Sequence, residues 1–273
     1  MVTLSVAHVH GQELPSIRVL HWNVQHSGFG TDGVLDRARQ VKWMVTQAPD
    51  VVTLNEVTEP AAFEYQARLA VATGKTWFLH HVAAVHGSDG NAILTRHPIR
   101  ATGGRVLTRE RAVAQVTIDV AGSPVNVFST HIESGRQRES RAEQIQMLLP
   151  YLAAFAPPRI VTADLNAGPP AAEIQPLLAS YADAWGEAVR QNAAVAYPDN
   201  PRGRTRGARI DYILISPEGG LRVTGCAIPD QRDLARRDVM TRIRTSDDAG
   251  ARPSDHNLIW CTFERRLALP SRR

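Results

Sequence analysis

Polar side chains of the kinds that hold cations and move protons accompany apolar segments at six places along the chain. The segments are short and rich in Val, Ile and aromatic residues, which is typical of β-strands. The polar residues that end, follow or precede them are Asn23, Glu56, His131, Asp164 with Asn166, Asp211, and Asp255 with His256. Carboxylate and amide oxygens suit a hard cation such as Mg²⁺, and histidine moves protons near neutral pH. Because the set lacks the spacings of zinc motifs, the pattern indicates a magnesium-type site.

Asp164 and Asn166 illustrate why the pattern favours one site over scattered turn residues. Side chains alternate between the two faces of a strand, so residues two apart point the same way. A single carboxylate at a strand end is usually a turn or capping residue. Six strand ends that all carry Asn, Asp, Glu or His are better explained by a shared catalytic pocket.

The elements that must position these residues are short strands interspersed with helices. Strands are predicted over residues 17–24, 50–57, 91–95, 112–120, 124–130, 159–165, 209–216, 221–228 and 257–263. Helical periodicity is found at 34–48, 59–73 and 139–155, with one or two short helices over 171–189. Thr31 or Asp32 is expected to cap the first helix, and Pro150 to kink or split the third. Because 112–120 and 124–130 are spaced as a hairpin, mixed sheets are expected.

The composition is that of a globular protein with a sizeable core. The chain has 273 residues, of which 43% are apolar and 21% charged. One domain over about 16–264 is expected, with terminal segments 1–15 and 265–273. No segment approaches the roughly 18 consecutive apolar residues of a membrane span. The net charge is +4 and arginine carries nearly all the positive charge, which suits an anionic partner, although a GC-rich genome would also produce this bias.

Cysteine usage and the amino terminus bear on the cellular compartment. Cys226 and Cys261 are too few for a disulfide scaffold or a multi-cysteine zinc module, and their apolar neighbours predict buried free thiols. Residues 1–15 lack the basic region and apolar stretch of a signal peptide. A cytoplasmic protein is therefore expected, with a secreted mature form as the alternative.

Seven short segments, taken in order, resemble the endonuclease/exonuclease/phosphatase superfamily, which includes deoxyribonuclease I. They are TrpAsnValGln (22–25), AsnGluVal (55–57), GlyAsnAlaIleLeuThrArgHisProIle (90–99), SerThrHisIle (129–132), AlaAspLeuAsn (163–166), ArgIleAspTyrIle (209–213) and SerAspHis (254–256). The resemblance covers about residues 17–263. It implies an α/β fold, a four-layer α/β/β/α sandwich of two mixed β-sheets with helices on the outer faces. It also implies phosphoester hydrolysis with a divalent cation, Mg²⁺ or alternatively Mn²⁺.

The same resemblance implies a metal site and a proton acceptor. Glu56 corresponds to the principal metal ligand, with Asn23 beside it and Asp255 completing the pocket. His256 corresponds to the catalytic base, and Asp211 to the carboxylate that holds its imidazole. The residue that accepts the proton of the attacking water differs between the mechanisms argued for different branches of the family. Asp164 is the alternative base, in which case Asn166 supports the transferring phosphate.

His131 distinguishes between branches of the family. Deoxyribonuclease I, sphingomyelinases and several phosphatases are similar to this chain in having histidine there, whereas apurinic-site endonucleases usually lack it. A histidine can donate to the phosphate or to the leaving group. Deoxyribonuclease I has a supporting glutamate near the position of Asn91, so the GlyAsnAla sequence here departs from a strict deoxyribonuclease I pattern. Asn91 is a candidate substrate-binding residue.

Arginines cluster in three segments that neighbour the motifs. They are Arg136, Arg138 and Arg141; Arg202, Arg204, Arg206 and Arg209; and Arg232, Arg236 and Arg237. Such clusters can hold a phosphodiester backbone, although nearby acidic residues could instead make them solvated faces. We expect a monomer that cleaves nucleic acid or another phosphodiester, with Arg136, Arg204 and Arg206 in contact with it. The alternatives are a sphingomyelinase-like phospholipid phosphodiesterase, an inositol-phosphate-type phosphatase and a non-catalytic phosphate-binding module.

Overall fold

The computed structural model of the protein describes residues 16–84, 89–205, 207–239 and 250–265. The strands are β1 (Ser16–Asn23), β2 (Val51–Val57), β3 (Phe78–Ala83), β4 (Gly90–Thr95), β5 (Ile99–Thr108), β6 (Arg111–Val120), β7 (Ser123–His131), β8 (Arg159–Asp164), β9 (Ala182–Asp183), β10 (Ala194–Ala196), β11 (Asp211–Ile215), β12 (Leu221–Ile228) and β13 (Ile259–Arg265). The helices are α1 (Gln25–Gly28), α2 (Arg37–Thr46), α3 (Glu59–Thr73), α4 (Arg138–Ala153), α5 (Gln175–Ser180) and α6 (Ala184–Arg190). None of the helices in these ranges is long and apolar enough to cross a bilayer.

The strands form two mixed sheets. One has seven strands in the order β10-β12-β13-β1-β2-β4-β3, and the other has six in the order β5-β6-β7-β8-β11-β9. Parallel neighbours occur near the middle of each sheet, β1 with β2 and β7 with β8. The hairpin expected between 112–120 and 124–130 is confirmed as the antiparallel pair β6 and β7. The predicted α/β sandwich of two mixed sheets is confirmed.

Three hydrophobic clusters separate the four layers. The central cluster lies between the sheets, and two outer clusters join one sheet to α2 and α3 and the other to α4 and α5. Strand β1 shows how alternation produces this arrangement. Ile17 and Val19 belong to the central cluster, whereas Leu20 and Trp22 pack beneath the outer helices. Each such large side chain contributes roughly 1.5–3 kcal/mol through burial, so both faces of the central strands stabilise the fold.

Helix boundaries follow local capping chemistry. The side chain of Asp36 accepts a hydrogen bond from the backbone N–H of Arg39 at 2.9 Å, so α2 begins after Asp36. The prediction that Thr31 or Asp32 caps this helix was wrong, since Asp32 pairs instead with the Arg39 guanidinium. Helix α3 spans the predicted residues and ends at Gly74, which adopts the left-handed conformation at φ 64°. Helix α4 continues past Pro150 as one element.

Strand β5 was not predicted, and its environment explains why. It is an edge strand with most of its side chains exposed, so it lacks the apolar alternation of a half-buried strand. The adjacent Gly103 and Gly104 lower its apparent strand propensity further.

Cys226 and Cys261 form a disulfide, so the prediction of free thiols was wrong. The two residues lie directly opposite each other on the antiparallel strands β12 and β13, with their Cα atoms 4.0 Å apart. Both are buried in the central cluster. Their apolar neighbours predicted the burial, but a cross-strand register cannot be read from a separation of 35 residues. Disulfides are typical of oxidising compartments, so the cytoplasmic location stays a prediction that this bond does not support.

Removal of this disulfide is expected to destabilise the fold. The double variant Cys226→Ala/Cys261→Ala should lose about 2–4 kcal/mol of unfolding free energy, because the bond restrains the unfolded chain. Urea unfolding under non-reducing conditions measures the loss, and wild-type protein under reducing conditions serves as the control. Two alkylatable thiols in unfolded, unreduced wild-type protein would contradict the disulfide.

Candidate active site

The inner faces of six strands become polar at the same end of the sandwich. Strand register aligns the residues into one row on each sheet: Asn23, Asn55 and Asn91 on β1, β2 and β4, and His131, Asp164 and Asp211 on β7, β8 and β11. All six are buried. They continue the inward-facing positions that are apolar deeper in the sandwich, such as Val19 of β1 and Ile213 of β11. The two rows face each other, and the cleft between them is the candidate active site.

Asp164 is the buried carboxylate on which the two rows converge. Its Oδ2 accepts a hydrogen bond from Asn23 Nδ2 at 3.1 Å, and it lies 3.4 Å from His131 Nε2 and 3.6 Å from His256 Nε2. Its Oδ1 accepts the backbone N–H of Asn166 at 2.9 Å. The same Asn23 amide nitrogen also donates to the Glu56 carboxylate. One side-chain amide therefore links the carboxylate of Asp164 with that of Glu56 at the cleft mouth.

His256 and Asp211 form a buried pair. The carboxylate oxygens of Asp211 lie 3.1 and 3.2 Å from His256 Nδ1, and the Thr205 hydroxyl donates to Asp211 Oδ2 at 2.7 Å. Burial by itself raises the pKa of Asp211, but His256, His21 and the Thr205 hydroxyl together outweigh burial and lower that pKa overall. The ionised carboxylate favours a proton on Nδ1 and leaves Nε2 facing the cleft as a proton acceptor.

Glu56 reaches the cleft because of a bulge in β2. The register between β2 and β4 shifts between Asn55 and Val57, and Glu56 itself adopts a left-handed φ of 55°. A bulge re-aims one side chain, so both Asn55 and the residue after it face the site. The Oε1 atom of Glu56 accepts from Asn23 Nδ2 at 2.9 Å, and its Oε2 accepts from the backbone N–H of His26 at 3.1 Å. Burial alone raises the pKa of Glu56, but His131 and the Asn23 hydrogen bond lower it to about 2.

His131 and Asn166 form the opposite side of the cleft. The Asn166 amide donates to His131 Nε2 at 3.0 Å and to the carbonyl of Ile132 at 3.0 Å. Burial lowers the pKa of His131, against the raising effect of Asp164, which favours the neutral ring near pH 7. Asn166 is held at φ 46°, an uncommon conformation for a residue other than glycine.

Asp255 lies beside His256, with its Oδ1 3.9 Å from His256 Nε2. The structure connects it to Asn23 through Gln25, whose backbone N–H donates to Asn23 Oδ1 at 3.0 Å and whose Oε1 accepts from the backbone N–H of Asp255 at 2.9 Å. Of the three predicted metal ligands, Asn23 and Glu56 are therefore in direct contact. Asp255 is linked to them through the loop after β1.

The four predicted substrate-binding residues have different environments. Asn91 uses both ends of its amide within the protein, accepting from Asn55 at 2.6 Å and donating to the carbonyl of Ala112 at 2.8 Å. It nevertheless lines a small cleft together with Glu56 and His131. Arg136 and Arg204 are exposed. Arg206 lies outside the described residues.

Several other arginines of the three clusters are structural. Arg141 is buried against Glu173 at 2.8 Å, and Arg209 pairs with Asp183 and lies over the Tyr212 ring. Arg232 pairs with Asp230 and Asp199, each at 2.7 Å. Three of these four partners lie 26 to 33 residues away along the chain, and only Asp230 is a near neighbour of its arginine. The sequence clusters therefore overstated the positive charge available to a substrate.

Sequence reasoning missed three positioning residues. Asn55 donates to Asn91 and to Ser129 and accepts the backbone N–H of Asp164 at 3.2 Å, which joins the two sheets across the site. Gln25 and Thr205 hold Asp255 and Asp211 as described above. Alternation along β2 was a usable signal for Asn55, because it lies two residues from the inward-facing Thr53. The loop residues carried no such signal.

The depressed pKa of Glu56 predicts a specific acid sensitivity of the metal-free protein. Its pKa falls from 4.5 to about 2 on folding, so its stabilising contribution is complete above pH 4.5 and is lost as the pH falls toward 2. That contribution is about 3 kcal/mol. Urea unfolding at several pH values measures the unfolding free energy of wild type and of Glu56→Gln. The difference between the two should fall by about 3 kcal/mol as the pH is lowered from 4.5 toward 2. The exposed substitution Glu143→Gln is the control, and a pH-independent difference for Glu56→Gln would contradict the ionised, paired state.

Comparisons with known proteins give a consistent result for the family. The model of the endonuclease/exonuclease/phosphatase family matches residues 20–256. No curated protein sequence matches the chain. A solved endonuclease/exonuclease/phosphatase structure from Beutenbergia cavernae is 23% identical with a TM-score of 0.67, covering 92% of this chain and 72% of that one.

Two other similar solved structures are of proteins with more specific names. A mannosyl-6-phosphatase from Bacteroides thetaiotaomicron is 15% identical with a TM-score of 0.67, covering 90% of this chain and 99% of that one. TDP2 from D. rerio, solved with a single-strand DNA product, is 18% identical with a TM-score of 0.65, covering 91% and 99%. At these identities the structures share the fold alone. Since the family model spans most of the chain, this protein belongs to the endonuclease/exonuclease/phosphatase family of metal-dependent phosphoester hydrolases.

Proposed function

We propose that the protein is a divalent-metal-dependent phosphodiesterase that cleaves nucleic acid by attack of an activated water on phosphorus. The observation that carries this proposal is the buried Asp211–His256 pair, in which the Nε2 atom of His256 lies 3.6 Å from the central carboxylate of Asp164. This arrangement brings a proton acceptor, its orienting carboxylate and a separate acidic group into one pocket.

His256 is the proposed general base. Hydrolysis requires that water lose a proton as it attacks, and an imidazole fixed through Nδ1 accepts that proton at Nε2. Asp211 holds the ring and stabilises the imidazolium that forms. Asp164 lies 3.6 Å from the same Nε2 atom, so it can orient the water and is the alternative base.

His131 and Asn166 are proposed to act on the phosphate or the leaving group. His131 Nε2 lies 3.4 Å from Asp164 Oδ2, the same carboxylate oxygen that lies 3.6 Å from His256 Nε2. Because Asn166 donates to His131 Nε2, the two side chains form a preorganised polar wall. Asn91, at the base of the neighbouring small cleft, is proposed to complete this wall by keeping Asn55 in place.

The donor set fits a hard cation. Glu56 is ionised at neutral pH because its pKa lies near 2, its carboxylate contacts the Asn23 amide, and Asp255 is linked to Asn23 through Gln25. Glu56, Asn23 and Asp255 are the residues proposed to hold Mg²⁺, with Mn²⁺ as the alternative. The cation would neutralise charge on the phosphate and on the leaving oxygen.

Nucleic acid is the proposed substrate class because of the exposed arginines near the site. Arg204 immediately precedes Thr205, which bonds to Asp211, and Arg136 follows His131 in the loop before α4. Neither side chain has an ion-pair partner among the described residues. The single-strand DNA product of TDP2 is compatible with this proposal. The similarity to a mannosyl-6-phosphatase supports a phosphatase as the second candidate.

Loss of the metal should abolish turnover. Chelation with EDTA, or the substitution Glu56→Gln, should reduce hydrolysis of bis-p-nitrophenyl phosphate by orders of magnitude. Circular dichroism would check that the fold is retained. A panel of plasmid DNA, single-stranded DNA, RNA, sphingomyelin and inositol phosphates, each with added Mg²⁺, then separates the nuclease from the phospholipase and phosphatase alternatives. Normal turnover after EDTA treatment would refute the proposed chemistry, and a non-catalytic binding module would show no metal-dependent turnover at all.

The two histidines should respond differently to the leaving group. His256→Ala should cost roughly 10²–10⁴-fold on every substrate, because a base is needed whatever group departs. His131→Ala should harm dinucleotides far more than p-nitrophenyl esters, because p-nitrophenolate leaves without assistance. Asp211→Asn is expected to behave as His256→Ala does. Equal losses for His131→Ala on both substrates would assign it to phosphate binding, and near wild-type rates for His256→Ala would move the base to Asp164.

Charge reversal at the cleft rim should weaken polyanion binding specifically. Arg136→Glu and Arg204→Glu should raise KM for single-stranded DNA and make its salt dependence shallower by about one unit of log–log slope per lost phosphate contact. Hydrolysis of the small chromogenic diester should change little. Lys75→Glu, at the far end of α3, is the matched control. Equal effects of all three variants on DNA would show that the rim arginines make no specific contact.

A further inference from the structure

His26, Glu56 and Asp89 converge at the cleft mouth from three separate segments. His26 lies in the turn α1, Glu56 in the bulge of β2, and Asp89 immediately before β4. His26 Nδ1 lies 3.1 Å from Asp89 Oδ2 and 3.6 Å from Glu56 Oε2. One ligand atom from each residue falls within 4.8 Å of the others, which is the spacing of donors around a single cation.

The orientation of Glu56 separates this group from the site of the proposed mechanism. Its Oε1 faces Asn23, and its Oε2 faces the backbone and ring of His26. The two oxygens of one carboxylate are thus presented to two different donor sets. A bridging carboxylate of this kind is how two-metal hydrolase sites are joined.

The chemistry of the donors indicates which cations the second group would accept. Mg²⁺ prefers oxygen ligands and keeps several waters, whereas Mn²⁺ and later first-row metals also accept imidazole nitrogen. His26 is 70% exposed on its side chain, while Glu56 and Asp89 are 19% and 29% exposed, so the remaining ligand positions open to solvent or to a substrate phosphate.

We propose that His26, Glu56 and Asp89 form a second cation site that takes Mn²⁺ or a related imidazole-accepting metal in preference to Mg²⁺. The site rests on the proposed function only in sharing Glu56 with the catalytic cation. Its position beside the small cleft lined by Asn91, Arg111 and His131 places the second cation where it can bind a further phosphate oxygen of the substrate.

Counting bound Mn²⁺ on the metal-free full-length protein tests the proposal without reference to turnover. By calorimetry or by the electron paramagnetic resonance signal of free Mn²⁺, wild type should bind two ions per chain. His26→Ala and Asp89→Asn should each retain one ion and weaken the second by roughly tenfold or more. Alanine at position 26 would be strained, because His26 has a left-handed φ of 45°. Asp89→Asn removes a ligand without this strain, so it separates loss of the ligand from a backbone effect. Titration with Mg²⁺ should give one ion in all three proteins.

The matched control is Asp119→Asn, which removes a partly exposed carboxylate, paired with Arg100, at the opposite end of β6 and should leave two Mn²⁺ ions bound. One Mn²⁺ per chain in wild type, or equal counts and affinities in wild type, His26→Ala and Asp89→Asn, would overturn the second site and show that His26 and Asp89 form only a hydrogen-bonded pair. Two equivalent Mg²⁺ ions in wild type would overturn its selectivity. The proposed function fails separately, through EDTA-resistant turnover, whatever the number of bound ions.

Discussion

The contacts made by the buried carboxylate of Asp164 are the interactions on which the site depends. This carboxylate is fully buried, and a buried carboxyl group is tolerated only when hydrogen bonds and polar neighbours compensate for its lost hydration. Asn23 comes from the facing sheet, His131 from the neighbouring strand and His256 from the loop before β13 to provide that compensation. The contact from Asn23 joins the two sheets, so the candidate site and the sandwich are held by one network.

The central core divides along its length into an apolar part and a polar part. The apolar part, with residues such as Val19 and Ile213, stabilises the fold through hydrophobic burial, which does not depend on the direction of individual contacts. The polar part contains the left-handed conformations of Glu56 and Asn166 and of the turn after β1. Such conformations cost about 1–3 kcal/mol each. The well-packed remainder of the sandwich stabilises these residues in the orientations that the proposed chemistry requires.

Ion pairs between arginines and acidic residues limit how much of the chain's positive charge is available to bind a substrate. Buried or paired arginines such as Arg141, Arg209 and Arg232 stabilise loops around the site. Arg136 and Arg204 remain exposed beside it. In the proposed function, the acidic cleft would bind the cation, and the exposed arginines would contact a polyanion.

Local patterns in the sequence predicted most strands and a mixed sheet system, because alternation along a strand is a property of neighbouring residues. The order of the short motifs indicated the family, and the resemblance to that family implied the sandwich of two sheets. Only the tertiary structure decided which residues became partners. It set the rows Asn23–Asn55–Asn91 and His131–Asp164–Asp211, the bulge that turns Glu56 inward, the Cys226–Cys261 bond and the ion pairs that occupy several arginines. Each of these depends on the register between strands or loops far apart in the chain. That register is chosen by the packing of the whole sandwich, so the residue types predicted the chemistry and the long-range pairing decided its geometry.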